Sequence, residues 1–377
     1  MGPCVSICAL LLGSLLLAPA VLAQAPPPPI RPDLTVTAAI RLAVVDTLCD
    51  RVERYYVFPE RAKTVSKAIQ NRYKAHEYDR ITSAMEFADS LTVHMQAAVP
   101  DIHLRTHYRH EPIPVETDDG PPDEAEVRRV AELGRYTNYG FEKMERLPGN
   151  VGYLDLRKFS GDPPGQATAV SAMNFLSNTD ALIVDLRRNG GGHPKMIATI
   201  LTYFTKPEDR LQFNTFYMRE SDATNQYWTS PYVPGPRYTG KPVYVLTINR
   251  TASAAEEFAY DVQTHKLGTV VGAVSAGGAN PGGMYRLNEN FAAFIATGRA
   301  INPVTKTNWE GVGVKPDTLT TAGEALRTAY IMALQEILAD AKDDPDRVEA
   351  MKEVIAEAAK RAPDAEEDFV RPQRRKR

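Results

Sequence analysis

At 377 residues and a formal net charge of −3, the chain is long enough for about two domains, and its charge gives no reason to expect nucleic acid or an anionic membrane as partner. Hydrophobic residues at 43% and charged residues at 24% describe a soluble globular protein. Its 3 cysteines include no C-x-x-C, and no H-E-x-x-H occurs, so neither a metal nor another cofactor is expected.

Residues 1–23 read as a signal peptide. The run 8–17 is apolar, and Val21-Leu22-Ala23 resembles an A-x-A cleavage site before Gln24. That run is too short, and too soon broken by Pro19, for a membrane span. Residues 1–8 hold no Lys or Arg, so a retained anchor is the alternative to a cleaved signal. Cleavage near Ala23 implies export, periplasmic or extracellular. It leaves Cys49 alone, a small buried hydrophobe within a helical run. Residues 24–33 form a proline-rich linker with little power to fold.

Residues 34–100 read as a helical bundle. Ile40, Val44, Val45, Leu48, Val52 and Tyr56 recur mostly at three- and four-residue steps, Pro59 stops that helix, and 64–73 and 82–98 make two more. Residues 101–338 read as an α/β core. After a proline-broken stretch with a turn at 117–120 come short alternating segments; strands are then expected at 151–156, 181–186, 243–248 and 269–272, with helices at 167–176, from Pro194, and after Ser253. The run 291–296 is expected to pair with 300–301 or with 284–287 around turns. An apolar-faced helix over 322–338 closes the core. Residues 339–377 form a charged helical tail whose basic end, 374–377, is solvated.

Three features carry chemistry. Ser253 follows the apolar run 243–248 and begins a helix, beside unpaired N–H groups and the positive end of the helix dipole. The same residue, with Glu256 three positions on, also reads as a capping box needing no function. Gly190-Gly191-Gly192 follows a buried strand and lets backbone N–H groups approach a ligand, as an oxyanion hole requires; a plain tight turn is the competing reading. A serine needs a base. Among seven histidines, His103 lies where the bundle meets the core, a place where clefts form. Glu310, beside the glycines of a loop, is a carboxylate that could hold a histidine's tautomer, or simply a surface turn.

The segments Tyr56-Val57-Phe58-Pro59, Asp101-Ile102-His103-Leu104, Val184-Asp185-Leu186-Arg187-Arg188-Asn189-Gly190-Gly191-Gly192, Thr251-Ala252-Ser253-Ala254-Ala255-Glu256, Ala276-Gly277-Gly278-Ala279-Asn280-Pro281-Gly282-Gly283 and Trp309-Glu310-Gly311-Val312-Gly313-Val314-Lys315-Pro316-Asp317 occur in the order of the S41 serine peptidases, and the likeness runs from about Leu34 to Asp317. The chain resembles the branch of tricorn core proteases and interphotoreceptor retinoid-binding proteins. The C-terminal processing branch takes its base from a lysine in the loop here occupied by 275–280, and no lysine is there. Where the tricorn-like site has a serine before the histidine, this chain has Ile102.

The resemblance implies a crotonase/ClpP-like α/β core behind a helical N-terminal domain, and an exported serine peptidase acting on peptide or protein. It makes Ser253 the nucleophile, His103 the base and Glu310 its orienting acid. The oxyanion hole falls to Gly190, Gly191 and Ala254, and the groove wall to Gly277, Gly278 and Asn280. The retinoid-binding members imply the alternative, a non-catalytic binder of a retinoid or fatty-acid-like ligand in the same cleft.

Overall fold

A computed structural model describes residues 32–114, 124–341 and 344–365. The expected signal peptide, residues 24–31 of the linker, the 117–120 turn and the 374–377 basic end lie outside them.

Three capped helices open the described chain. Helix α1 (Ala38–Tyr55) starts at Thr37, whose hydroxyl accepts from Ile40 N–H. It buries Val44, Val45, Leu48, Cys49 and Val52 on one face. Helix α2 (Pro59–Lys74) begins on Pro59, whose missing N–H costs nothing at the first helical position. Helix α3 (Ala84–Ala98) is capped by Ser83. Strand β1 (Arg105–Tyr108) follows, then α4 (Glu124–Tyr136), an amphipathic helix that the sequence reading treats as short alternating segments.

The core then alternates strands and helices. In order come β2 (Phe141–Leu147), β3 (Val151–Leu156), α5 (Pro163–Leu176), β4 (Ala181–Asp185) and α6 (Pro194–Phe204). A polar hairpin, β5 (Gln212–Met218) and β6 (Ala223–Trp228), precedes β7 (Val243–Thr247), α7 (Ala254–Thr264) and β8 (Thr269–Gly272). After β9 (Gly282–Arg286), β10 (Phe291–Ala296), β11 (Gly298–Ile301) and β12 (Thr318–Leu319) come α8 (Ala325–Asp340) and α9 (Pro345–Lys360).

Six strands form the central sheet in the order β12-β8-β7-β4-β3-β2, parallel except for the antiparallel β2–β3 edge. Every residue of β3, β4 and β7 is buried, as a parallel sheet covered on both faces demands. One face packs on α5, α6 and α7 through Met173, Ile197, Phe258 and Val262. The other packs on α8 and α9 through Ala329, Tyr330, Leu334 and Met351.

The boundary between bundle and core is not a cut at residue 100. β1 pairs with β10, which pairs with β9, and Leu287, Phe291, Ala293 and Ile295 share one apolar cluster with α1, α2 and α3. The hairpin around residue 290 thus belongs to the helical part. β10 takes the 284–287 side of the two pairings expected, and 298–301 pairs with β5 instead.

Candidate active site

Loops after adjacent parallel strands meet at the carboxyl end of the central sheet, where ligands bind in open α/β sheets. Gly190-Gly191-Gly192 follows β4, Ser253 follows β7, and the 275–280 loop follows β8. The turn before the serine is locked from within. Thr251 is fully buried, its hydroxyl donates to Leu186 C=O at 2.9 Å, and Ile248 N–H donates to that hydroxyl at 3.0 Å.

Ser253 has φ 57° and ψ −126°. An ordinary capping residue sits in the β region. A non-glycine residue at positive φ is strained by roughly 1–3 kcal/mol and persists only where its surroundings over-determine it. Here they do. Ser253 N–H donates to Glu256 Oε2 at 2.8 Å. A Cβ placed on Gly191 would lie 2.8 Å from Ser253 Cβ, so glycine is required at 191 for the two loops to touch. Asn189, which sequence reasoning passes over, joins them: its Nδ2 donates to Leu156 C=O at 2.8 Å, and its own carbonyl accepts from Ala252 N–H at 3.3 Å.

That contact revises the oxyanion-hole expectation. Gly191 N–H already donates to Asn189 Oδ1 at 2.8 Å. Gly190 is exposed, and its N–H has no acceptor among the described residues. Ala254 begins α7, and its nitrogen lies 3.2 Å from the Gly191 Cβ position, beside the serine.

The histidine expected as base lies in the other part of the molecule. The His103 ring lies against Phe294, centroids 5.3 Å apart and tilted by 31°, and it is mostly buried, which lowers its pKa and leaves it neutral and able to accept a proton. Asp101, another residue without a role in the sequence reading, is buried. It accepts from His103 N–H at 2.8 Å and from the Tyr56 hydroxyl at 3.0 Å, and its Oδ1 lies 3.9 Å from His103 Nδ1. Glu310 lies close to both. Donor atoms of Asp101, His103 and Glu310 all lie within 4.8 Å of one another, a grouping that could also hold a metal ion. His103 Nδ1 and Glu310 Oε1 are both buried with no hydrogen-bond partner. Burial, then the nearby Asp101 charge, push the Glu310 carboxyl up to about 8. Among the described residues no hydrogen bond joins Ser253 Oγ to His103.

The loop expected to wall the groove is held by two acidic side chains. Gly277 and Gly278 N–H donate to Glu256, at 2.6 and 2.9 Å, and Ala279 and Asn280 N–H donate to Glu310 Oε2, at 2.7 and 2.9 Å. These backbone donors are therefore occupied by carboxylates and not free for a substrate strand. Gly278 has a second role. A Cβ there would come within 2.8 Å of His103 Cε1, so the space a side chain at 278 would use is filled by the histidine.

The sequence and the fold match known proteins. The N-terminal domain of peptidase family S41 in eukaryotic IRBP matches residues 34–133, and peptidase family S41 matches residues 150–320. The chain belongs to peptidase family S41. It is 25% identical over 242 residues to a carboxy-terminal-processing protease of Bartonella bacilliformis, covering 55% of this chain and 52% of the relative. It is 24% identical over 200 residues to carboxyl-terminal-processing peptidase 1, chloroplastic, of Arabidopsis thaliana, covering 52% of this chain and 39% of the relative. The chain thus spans about half of these curated relatives or less. A solved structure from Parabacteroides merdae shares the fold at a TM-score of 0.54 and 20% identity, covering 80% of this chain and 98% of that one.

Proposed function

We propose that the protein is an exported serine peptidase that hydrolyses peptide bonds of peptide or protein substrates. The observation that carries this reading is the strained Ser253 at the head of α7, pressed against Gly191, together with a buried histidine and a carboxyl that keeps one unpaired oxygen, brought from distant segments. A serine on a sharp strand-to-helix turn is the arrangement of a nucleophile elbow.

Ser253 Oγ attacks the scissile carbonyl and forms a covalent acyl-enzyme. His103 takes the hydroxyl proton at Nε2, which closes onto Ser253 when substrate fills the site, and returns it to the leaving amine. Glu310 Oε1 meets Nδ1–H and supports the imidazolium. The exposed Gly190 N–H and the first N–H of α7, Ala254, face the developing oxyanion; one such donor is typically worth ~3 kcal/mol. Export rests on the composition of residues 1–23. Among the described residues no helix is long and apolar enough to cross a membrane. The relatives' names do not favour the alternative of an apolar-ligand carrier.

The test is labelling with an alkyl fluorophosphonate followed by mass mapping. One adduct on Ser253 is expected, absent in Ser253→Ala and slowed at least ~100-fold in His103→Ala, the scale of general-base assistance. Ser253→Ala retains its fold to within about 1 kcal/mol, the cost of a lost cap. A folded wild type that takes no adduct overturns the proposal.

A further inference from the structure

We propose that Glu256 is the positioning residue that sets the nucleophile in register with its base and acid, an inference that rests on Ser253 being the nucleophile. Its side chain is fully buried, and no cation pairs with it among the described residues. Four donors converge on its two oxygens instead. Oε1 accepts from the Ser275 hydroxyl and from Gly277 N–H, both at 2.6 Å; Oε2 accepts from Ser253 N–H at 2.8 Å and Gly278 N–H at 2.9 Å.

A helix cap needs only one of those four. The other three reach beyond α7. Ser275 Oγ also accepts from Val314 N–H at 2.6 Å, Gly311 N–H donates to Gly277 C=O at 2.8 Å, and Trp309 Nε1 donates to Gly278 C=O at 3.2 Å. The 309–314 segment carries Glu310. Glu310 in turn holds the next two N–H groups of the same strap, Ala279 and Asn280. Gly278 sits against His103. One carboxylate therefore ties the turn bearing Ser253 to the strap that abuts His103 and to the segment that presents Glu310. It touches no reacting atom, and it acts through the N–H of the strained serine and through the strap.

Glu256→Gln keeps shape and volume but presents an NH₂ to N–H donors. Whichever way the amide turns, one pair of donors loses its acceptor. Acylation of Ser253 by the alkyl fluorophosphonate is expected to slow at least ~30-fold, with far-UV circular dichroism unchanged. Ser275→Ala removes one tie and leaves the charge, and is expected to slow acylation ~3–10-fold. A double-mutant cycle separates positioning from stability. Because Glu256 acts partly through the strap that holds Glu310, the loss in the double variant is expected to be smaller than the product of the losses in Glu256→Gln and Glu310→Gln. Multiplying losses would overturn the inference, as would acylation in Glu256→Gln within threefold of wild type. If wild type takes no label, the nucleophile reading fails by itself, and amide hydrogen exchange still decides the strap. Glu256→Gln should expose Gly277–Asn280, including the two N–H groups that Glu310 holds. Unchanged protection there would overturn the inference without reference to turnover.

Discussion

Glu310 sets the proton balance of the site. With its carboxyl pushed up to about 8 by burial and by Asp101, it carries a proton at neutral pH and cannot support a charged imidazole. In the proposed mechanism, raising the pH through about 8 removes that proton and completes the Ser–His–acid arrangement. Acylation of Ser253 by an alkyl fluorophosphonate is therefore expected to rise with pH and level off above about 8. In Glu310→Gln the side chain stays neutral at every pH, so that limb vanishes and the plateau falls at least ~10-fold. Rate against pH from 5.5 to 9.5, for wild type and variant, is the measurement. A limb near 8 that survives in Glu310→Gln assigns it to another group. The fold of the variant should hold, because Gln can still accept from Ala279 and Asn280 N–H through one oxygen.

Glycine decides how the loops meet, and Gly278 gives the cleaner test. Its φ lies outside the left-handed region, so an alanine there carries no backbone strain; its Cβ would meet only His103 Cε1 and Ile102 side-chain atoms within about 3 Å. Gly278→Ala is expected to slow acylation ~10–100-fold by pushing the imidazole aside, with a change in Tm of no more than a few degrees. Acylation at the wild-type rate would mean that His103 is not the base. These loops also mark what the sequence could reveal. Ser253, His103 and Glu310 each have a plain structural reading when taken alone and stand out only through the ordered set of family-like motifs, whereas β3, β4 and β7 are legible because strands buried on both faces must be continuously apolar. Helix α4 and the β5–β6 hairpin are not. The hairpin's exposed face is polar and carries no clean alternation, and α4 leaves Val127, Val130 and Leu133 exposed, so its period does not report on a core. Asp101, Asn189 and Ser275 escape for a different reason. Each acts through a hydrogen bond to a segment distant in sequence or to a neighbouring backbone N–H, and no local pattern encodes that.

At the scale of the whole molecule, the proposed nucleophile lies beside one apolar cluster and the proposed base beside another. Ala254, Phe258 and Trp309 pack in the core under α5, α6 and α7, while Leu104 packs with α1, α2 and α3. A side chain ties the two together: Arg219, which follows β5, donates to the carbonyls of Glu53 and Tyr56. Tyr56 then passes the helical part's position on to the base, because its hydroxyl holds Asp101 and Asp101 holds His103 N–H. Tyr78 is the natural control, a tyrosine equally buried in the same cluster whose hydroxyl bonds to His94 instead, at 2.9 Å. Tyr56→Phe and Tyr78→Phe each strand one polar partner and are expected to cost about 1–3 kcal/mol of stability. Only Tyr56→Phe frees Asp101, so it alone should slow acylation of Ser253, by ~3–10-fold at a temperature where both variants are folded. Equal loss in the two variants would mean that the helical part lends the site stability and no more; a loss confined to Tyr56→Phe makes the first three helices part of the catalytic geometry.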